Sequence, residues 1–124
     1  MGDLAAAVTL AITLAVTGLG MGWVGRAGAR RRIDWNWGGH TAATTPKDRW
    51  DAAHRAAGPI MVSAGAVMAA AGVVGGALVA WRTSIGVAVT MALVIVSLAL
   101  TMWSIGRGLR ILEPSPAPGR SPGP

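Results

Sequence analysis

The chain has 124 residues, of which 52% are hydrophobic and only 13% charged, with a net charge of +6. That share of charge is about half of what soluble domains carry, and the apolar residues fall in unbroken runs that leave no wetted face. Cysteine is absent, which excludes disulfides, thiolate metal sites and cysteine nucleophiles. The basic residues flank the apolar runs, as they do in membrane proteins that obey the positive-inside rule. The excess of positive charge therefore points to a lipid bilayer as partner and away from nucleic acid.

Residues 4–24 contain no charged side chain and, at about 21 residues, match ~30 Å of hydrocarbon. The start, Met1-Gly2-Asp3, lacks the basic segment of a signal peptide, so this helix is expected to be retained. Thr9, Thr13 and Thr17 share one face with Gly18-x-x-x-Gly22 near it. Such residues let helices approach and bond across an interface in lipid; a polar pathway is the functional reading, and hydroxyls that bond back to their own helix and pack are the favoured one.

Six of the sixteen charged residues, both histidines and three of the six tryptophans lie in the next stretch, residues 34–59. Gly38-Gly39 has turn chemistry, and Trp35 and Trp37 beside it suit the headgroup level of a membrane. Thr45-Pro46-Lys47-Asp48 reads as a helix start, with Thr45 as N-cap, Pro46 at the first helical position and Asp48 reaching back. Trp50, Ala53, His54 and Ala57 then share one face, and Lys47, Asp51 and Arg55 another as i,i+4 pairs. This predicts a short amphipathic helix over 46–57 that ends or bends at Gly58-Pro59 and lies on the membrane or on the bundle.

The second span, residues 59–81, is built from Ala, Val, Gly and Met. Gly72-x-x-x-Gly76 is the close-packing pattern, here offering a surface to a second copy of the chain. Arg82-Thr83-Ser84 is a short turn that sends the third span, residues 85–106, back antiparallel, with Thr90, Ser97, Thr101 and Ser104 on one face. Trp23, Trp81 and Trp103 stand near helix ends as interfacial anchors. No span contains an ionisable residue, which disfavours a charged path inside the bilayer. Residues 113–124 form a Pro-rich tail expected to be disordered, and the chain reads without an internal repeat. Basic residues cluster in the first loop and after the third span, with Arg82 alone on the other side. The charge asymmetry predicts the N-terminus outside and the loop and C-terminus in the cytoplasm of a cell membrane. The expected architecture is an all-α membrane protein of three transmembrane helices, one domain over residues 1–112.

Catalytic chemistry finds little support. Asp51 and His54 have usable helix spacing for a metal, but no H-E-x-x-H, nucleophile context or phosphate loop accompanies them. No metal, cofactor or catalytic residue is assigned.

One resemblance is specific. Gly38-Gly39-His40-Thr41-Ala42-Ala43-Thr44, then Lys47-Asp48-Arg49-Trp50 and His54-Arg55-Ala56-Ala57-Gly58 opening a second span, resemble the two motifs of the SdpI family of bacterial membrane proteins. The run W-D-A-A-H-R-A-A-G-P is the best preserved. His40 stands where the family usually has Arg, Gly39 replaces a branched aliphatic residue, and Lys47 replaces Ser. The resemblance implies a non-enzymatic protein related to immunity proteins against a secreted peptide toxin, some of which also bind a repressor at the membrane. It places the functional surface at Thr41, Thr44, Asp48, Trp50, His54, Arg55 and Gly58. The competing readings are a small accessory subunit of a larger membrane complex and, less favoured, a transporter or membrane enzyme.

Overall fold

The computed structural model describes residues 2–113 as three helices, α1 (Gly2–Ala29), α2 (Lys47–Trp81) and α3 (Thr83–Leu112). All three are long and apolar enough to cross a membrane, and the expected spans 4–24, 59–81 and 85–106 lie within them. Glu113 closes α3, its backbone N–H bonding to the Leu109 carbonyl. The rest of the Pro-rich tail lies outside the described residues.

The separate amphipathic helix expected over 46–57 does not form. Its residues are the first turns of α2, which runs through Pro59 for 35 residues without a break. Proline removes the N–H that would reach the Arg55 carbonyl, and its ring presses on the residue before it. Here that residue is Gly58, which has no Cβ to strike. The Ser104 hydroxyl also bonds to the Ala57 carbonyl at 2.7 Å and pins α3 to this turn. Neighbouring helices thus hold a proline that would otherwise end the helix. The expected cap changes as well. Pro46 occupies the N-cap position with no side-chain cap bond, because the first turn closes from the Trp50 N–H to the Pro46 carbonyl at 2.9 Å, one residue beyond Thr45.

Helix α2 is the middle of the bundle: 44% of its most apolar stretch is buried, against 11% for α1 and 17% for α3. A short repeat explains how it packs on both sides. Ala57-Gly58, Ala64-Gly65 and Ala71-Gly72 recur every seven residues, a period that keeps one seam turned toward an antiparallel partner. The glycines face α1. A Cβ on Gly58 would lie 2.6 Å from the Gly25 carbonyl oxygen, on Gly65 2.5 Å from that of Gly18, and on Gly72 2.8 Å from that of Ala11. Those three α1 residues are themselves spaced by seven and run in the opposite order.

On the other side, Ser97 donates to the Ala64 carbonyl at 2.8 Å and Ser104 to that of Ala57. Thr90, a further seven residues back, sits against Gly75. Inside lipid, backbone approach and interhelical hydroxyl bonds are what hold helices together, because tails are as apolar as the side chains. The α1 seam relies on backbone approach, and the α3 seam adds the hydroxyl bonds.

Two expectations about faces change. Gly72 and Gly76 lie against Ala11 and Ala7 of α1, so that pattern is used within the chain and does not offer a free face. Thr9, Thr13 and Thr17 point outward, and Thr17 bonds back to the Thr13 carbonyl at 2.7 Å. The turn between α2 and α3 is shorter than expected: Arg82 alone is extended, and Thr83 and Ser84 are already helical. Trp23, Trp81 and Trp103 all stand on the outer surface.

The seam gives a direct prediction. Gly65→Val should destabilise the bundle by about 1–3 kcal/mol, the usual cost of overpacking, read as a lower unfolding midpoint in detergent. Gly20→Ala, where a Cβ meets nothing within 4 Å, should leave the midpoint unchanged.

Candidate functional site

Residues 30–46 connect α1 to α2. They fold back as a clasp across the ends of the three helices, and the clasp begins where α1 stops. The Arg31 N–H bonds to the Gly28 carbonyl at 3.0 Å and the Arg32 N–H to that of Ala27 at 2.8 Å, a closing motif that normally places glycine in the left-handed region. Arg31 takes that conformation itself, with φ 58°, at a cost of about 1–2 kcal/mol for a residue with a Cβ. The bend aims its guanidinium at two carboxylates, Nε donating to Asp51 of α2 and Nη1 to Asp34 in the loop. Asp34 also accepts the Trp50 indole N–H at 2.9 Å. The Trp50 N–H, and then Arg31, hold the Asp34 carboxyl below the usual carboxylate range, and Arg31 does the same for Asp51.

His54 is the centre of the clasp. It lies on the N-terminal extension of α2, outside the apolar span 59–81, and is fully buried. Its Nδ1 sits 2.8 Å from the Trp50 carbonyl and so carries the proton it donates there. Nε2 then accepts two bonds, from the Trp35 backbone N–H at 2.9 Å and the Trp37 indole N–H at 3.2 Å. Both nitrogens are satisfied only when the ring is neutral. Burial accordingly pushes its pKa below the ordinary 6.5, outweighing the bond to the Trp50 carbonyl that favours charge.

The tryptophans fasten the clasp to the other helices. Trp35 and Trp37 stack at 5.4 Å between ring centres, and both meet the His54 ring edge-on. Trp35 bonds through its indole N–H to the Val24 carbonyl of α1 at 3.1 Å and fills the space left by Gly28. Trp37 is buried against Trp50, Ala53, Ala57 and Leu112, over Gly108 of α3, where a Cβ would collide with its ring. Of these two tryptophans, expected at headgroup level, Trp37 is a core residue and Trp35 is half-buried against that core. A turn with positive φ at Gly38 then brings the His40 N–H back to the Trp37 carbonyl at 3.3 Å.

Of the seven residues the family motifs single out, three are buried and four are not. Trp50, His54 and Gly58 lie inside. Thr41, Thr44, Asp48 and Arg55 are exposed, with the Thr41 and Thr44 hydroxyls bonded to each other at 2.8 Å. Asp51, expected to pair along the helix with Lys47 and Arg55, turns instead to Arg31. Arg31, Asp34 and Gly108 carried no local signal, because each is defined by a partner remote in sequence or on another element. Among the described residues, no group of three or more His, Asp or Glu comes together as a metal site.

Three antiparallel apolar helices closed at one end by a polar, tryptophan-rich clasp define a small integral membrane protein. The SdpI/YfhL protein family matches residues 32–104, more than half of the chain, and the chain belongs to that family. No curated protein and no solved structure gives a significant match.

The clasp should loosen in acid. His54 titrates below 6.5 when folded, so as pH falls through that value the unfolded chain takes up a proton first and stability declines until the folded pKa is passed. Exchange of the Trp35 amide hydrogen should therefore accelerate relative to helix-centre amides as pH drops from 7 through 6, after correction for intrinsic rates. An unchanged ratio would contradict the assignment of Nε2 as acceptor.

Proposed function

We propose that this protein is a non-catalytic SdpI-type membrane protein that protects its cell from a membrane-active peptide toxin or relays the toxin's presence to a repressor-like cytoplasmic protein. The observation that carries the reading is the extent of the family match. Residues 32–104 take in the clasp from Arg32 onward, all of α2 and most of α3, so the shared part is the loop end with the helices that support it. The occupied nitrogens of His54 favour a positioning role over acid–base chemistry. On this reading Thr41, Thr44, Asp48 and Arg55 form the surface a partner meets, while Trp50, His54 and Gly58 fix its shape from beneath.

The charge distribution supports the loop end as cytoplasmic. Arg26, Arg30, Arg31, Arg32, Lys47, Arg49 and Arg55 cluster in or beside the first loop, with Arg107, Arg110 and Arg120 after the third span, against Arg82 alone at the opposite turn. A cysteine introduced at Ser115 in this cysteine-free chain should be labelled by an impermeant thiol reagent only from the cytoplasmic side. Labelling in intact cells would reverse the orientation.

Expression in toxin-sensitive cells should raise survival against at least one member of a panel of membrane-active peptides. Arg55→Ala at the exposed surface should reduce that protection with membrane levels unchanged. Equal killing across the panel, with the protein present in the membrane, would remove immunity as the function.

A further inference from the structure

The seam between α1 and α2 leaves a furrow that packing does not fill. Where Gly18 and Gly65 bring the two backbones together, no side chain rises to close the outer side. The result is a space of about 390 Å³ between Gly22 and Leu19 on α1 and Val62 and Ala69 on α2. It runs toward the loop end into a second space of about 360 Å³ bounded by Arg26, Arg30 and Pro59. A third, of about 130 Å³, adjoins Trp23 and Arg32. Arg26 lines all three, so the spaces meet at this side chain, apolar along the helix seam and basic at the loop end.

The charge at the mouth is unspent. Arg31 engages both Asp34 and Asp51, whereas among the described residues Arg26, Arg30 and Arg32 have no acidic partner. Arg26 and Arg30 are one helical turn apart and both exposed. They follow directly on the apolar run that ends at Val24, the depth at which hydrocarbon gives way to headgroups. Trp23 beside them, 64% exposed, is the residue type that settles at that level. Guanidinium forks match the paired oxygens of a phosphate, and basic pockets between membrane helices are suited to anionic headgroups.

We infer that this cleft binds an anionic phospholipid, its phosphate held by Arg26 and Arg30 and one acyl chain lying in the furrow between α1 and α2. Charge complementarity selects the headgroup, and the opening of the furrow on the outer face of the bundle selects the chain. A free phosphate would use the mouth and leave the furrow empty. The site is distinct from the exposed clasp surface and does not depend on the protein having an immunity role.

The test uses the full chain, purified in mild detergent and supplied with phosphatidylglycerol or phosphatidylcholine, with retained lipid counted by native mass spectrometry. Phosphatidylglycerol should be retained about tenfold more than phosphatidylcholine, and millimolar inorganic phosphate should not displace it. Arg26→Gln with Arg30→Gln should abolish the preference, and the matching pair of lysines should restore part of it. Gly22→Leu probes the furrow separately. A Cβ there meets nothing within 4 Å, so the side chain enters the furrow without moving a helix, lowering retention while the unfolding midpoint stays in place. Equal retention of the two lipids, or an undiminished preference in the glutamine variant, would overturn the site. Displacement by free phosphate, or normal retention by Gly22→Leu, would overturn the acyl-chain half of the assignment.

Discussion

Close approach of one helix backbone to two others underlies the rest of this structure. In a bilayer, helices gain nothing from hiding apolar side chains from one another, since lipid serves as well. What remains is contact at short range and hydrogen bonds across the interface. Helix α2 achieves both by placing Ala-Gly at every seventh position, with glycine toward α1 and the Ala57 and Ala64 carbonyls toward the serines of α3. The same closeness sets the furrow beside Gly18 and Gly65, because side chains small enough to let backbones meet are too small to fill the groove flanking them.

The clasp solves a problem that this arrangement creates. Helices α1 and α3 each lie on α2 and hardly touch one another, so the outer two are coupled only indirectly through the span. At the loop end the stacked pair Trp35 and Trp37 joins them, one bonded to α1 and seated over Gly28, the other seated over Gly108 of α3. His54 holds both from α2 through a single acceptor atom. The left-handed Arg31 turns the chain into this position, and its two carboxylate partners offset the backbone cost. A neutral imidazole is therefore a structural requirement of the clasp and follows from the donors aimed at it.

Burial also divides the family motif in two. Trp50, His54 and Gly58 support the fold, whereas Thr41, Thr44, Asp48 and Arg55 remain available to a partner. The same short motif thus mixes residues that shape a surface with residues that form it, and substitutions in the two groups should fail for different reasons: loss of fold in the first and, on the function proposed above, loss of recognition in the second.

The sequence by itself determined the three spans, since uncharged runs of about twenty residues have few other solutions, and the buried face of Trp50, Ala53, His54 and Ala57, since helical spacing shows it directly. The family was legible in the W-D-A-A-H-R-A-A-G-P run. The Ala-Gly period is also present in the sequence, but Gly72-x-x-x-Gly76 overlaps it at a shorter spacing, and only the position of α1 shows which spacing forms the seam. Only the tertiary structure decided that α2 continues through Pro59, because Gly58 and the bond from Ser104 remove the reasons for it to stop. It alone placed Trp37 in the core and Trp35 against it. Their partners lie on helices 7 to 75 positions away in the chain, and an irregular loop has no periodicity to announce which surface it will meet.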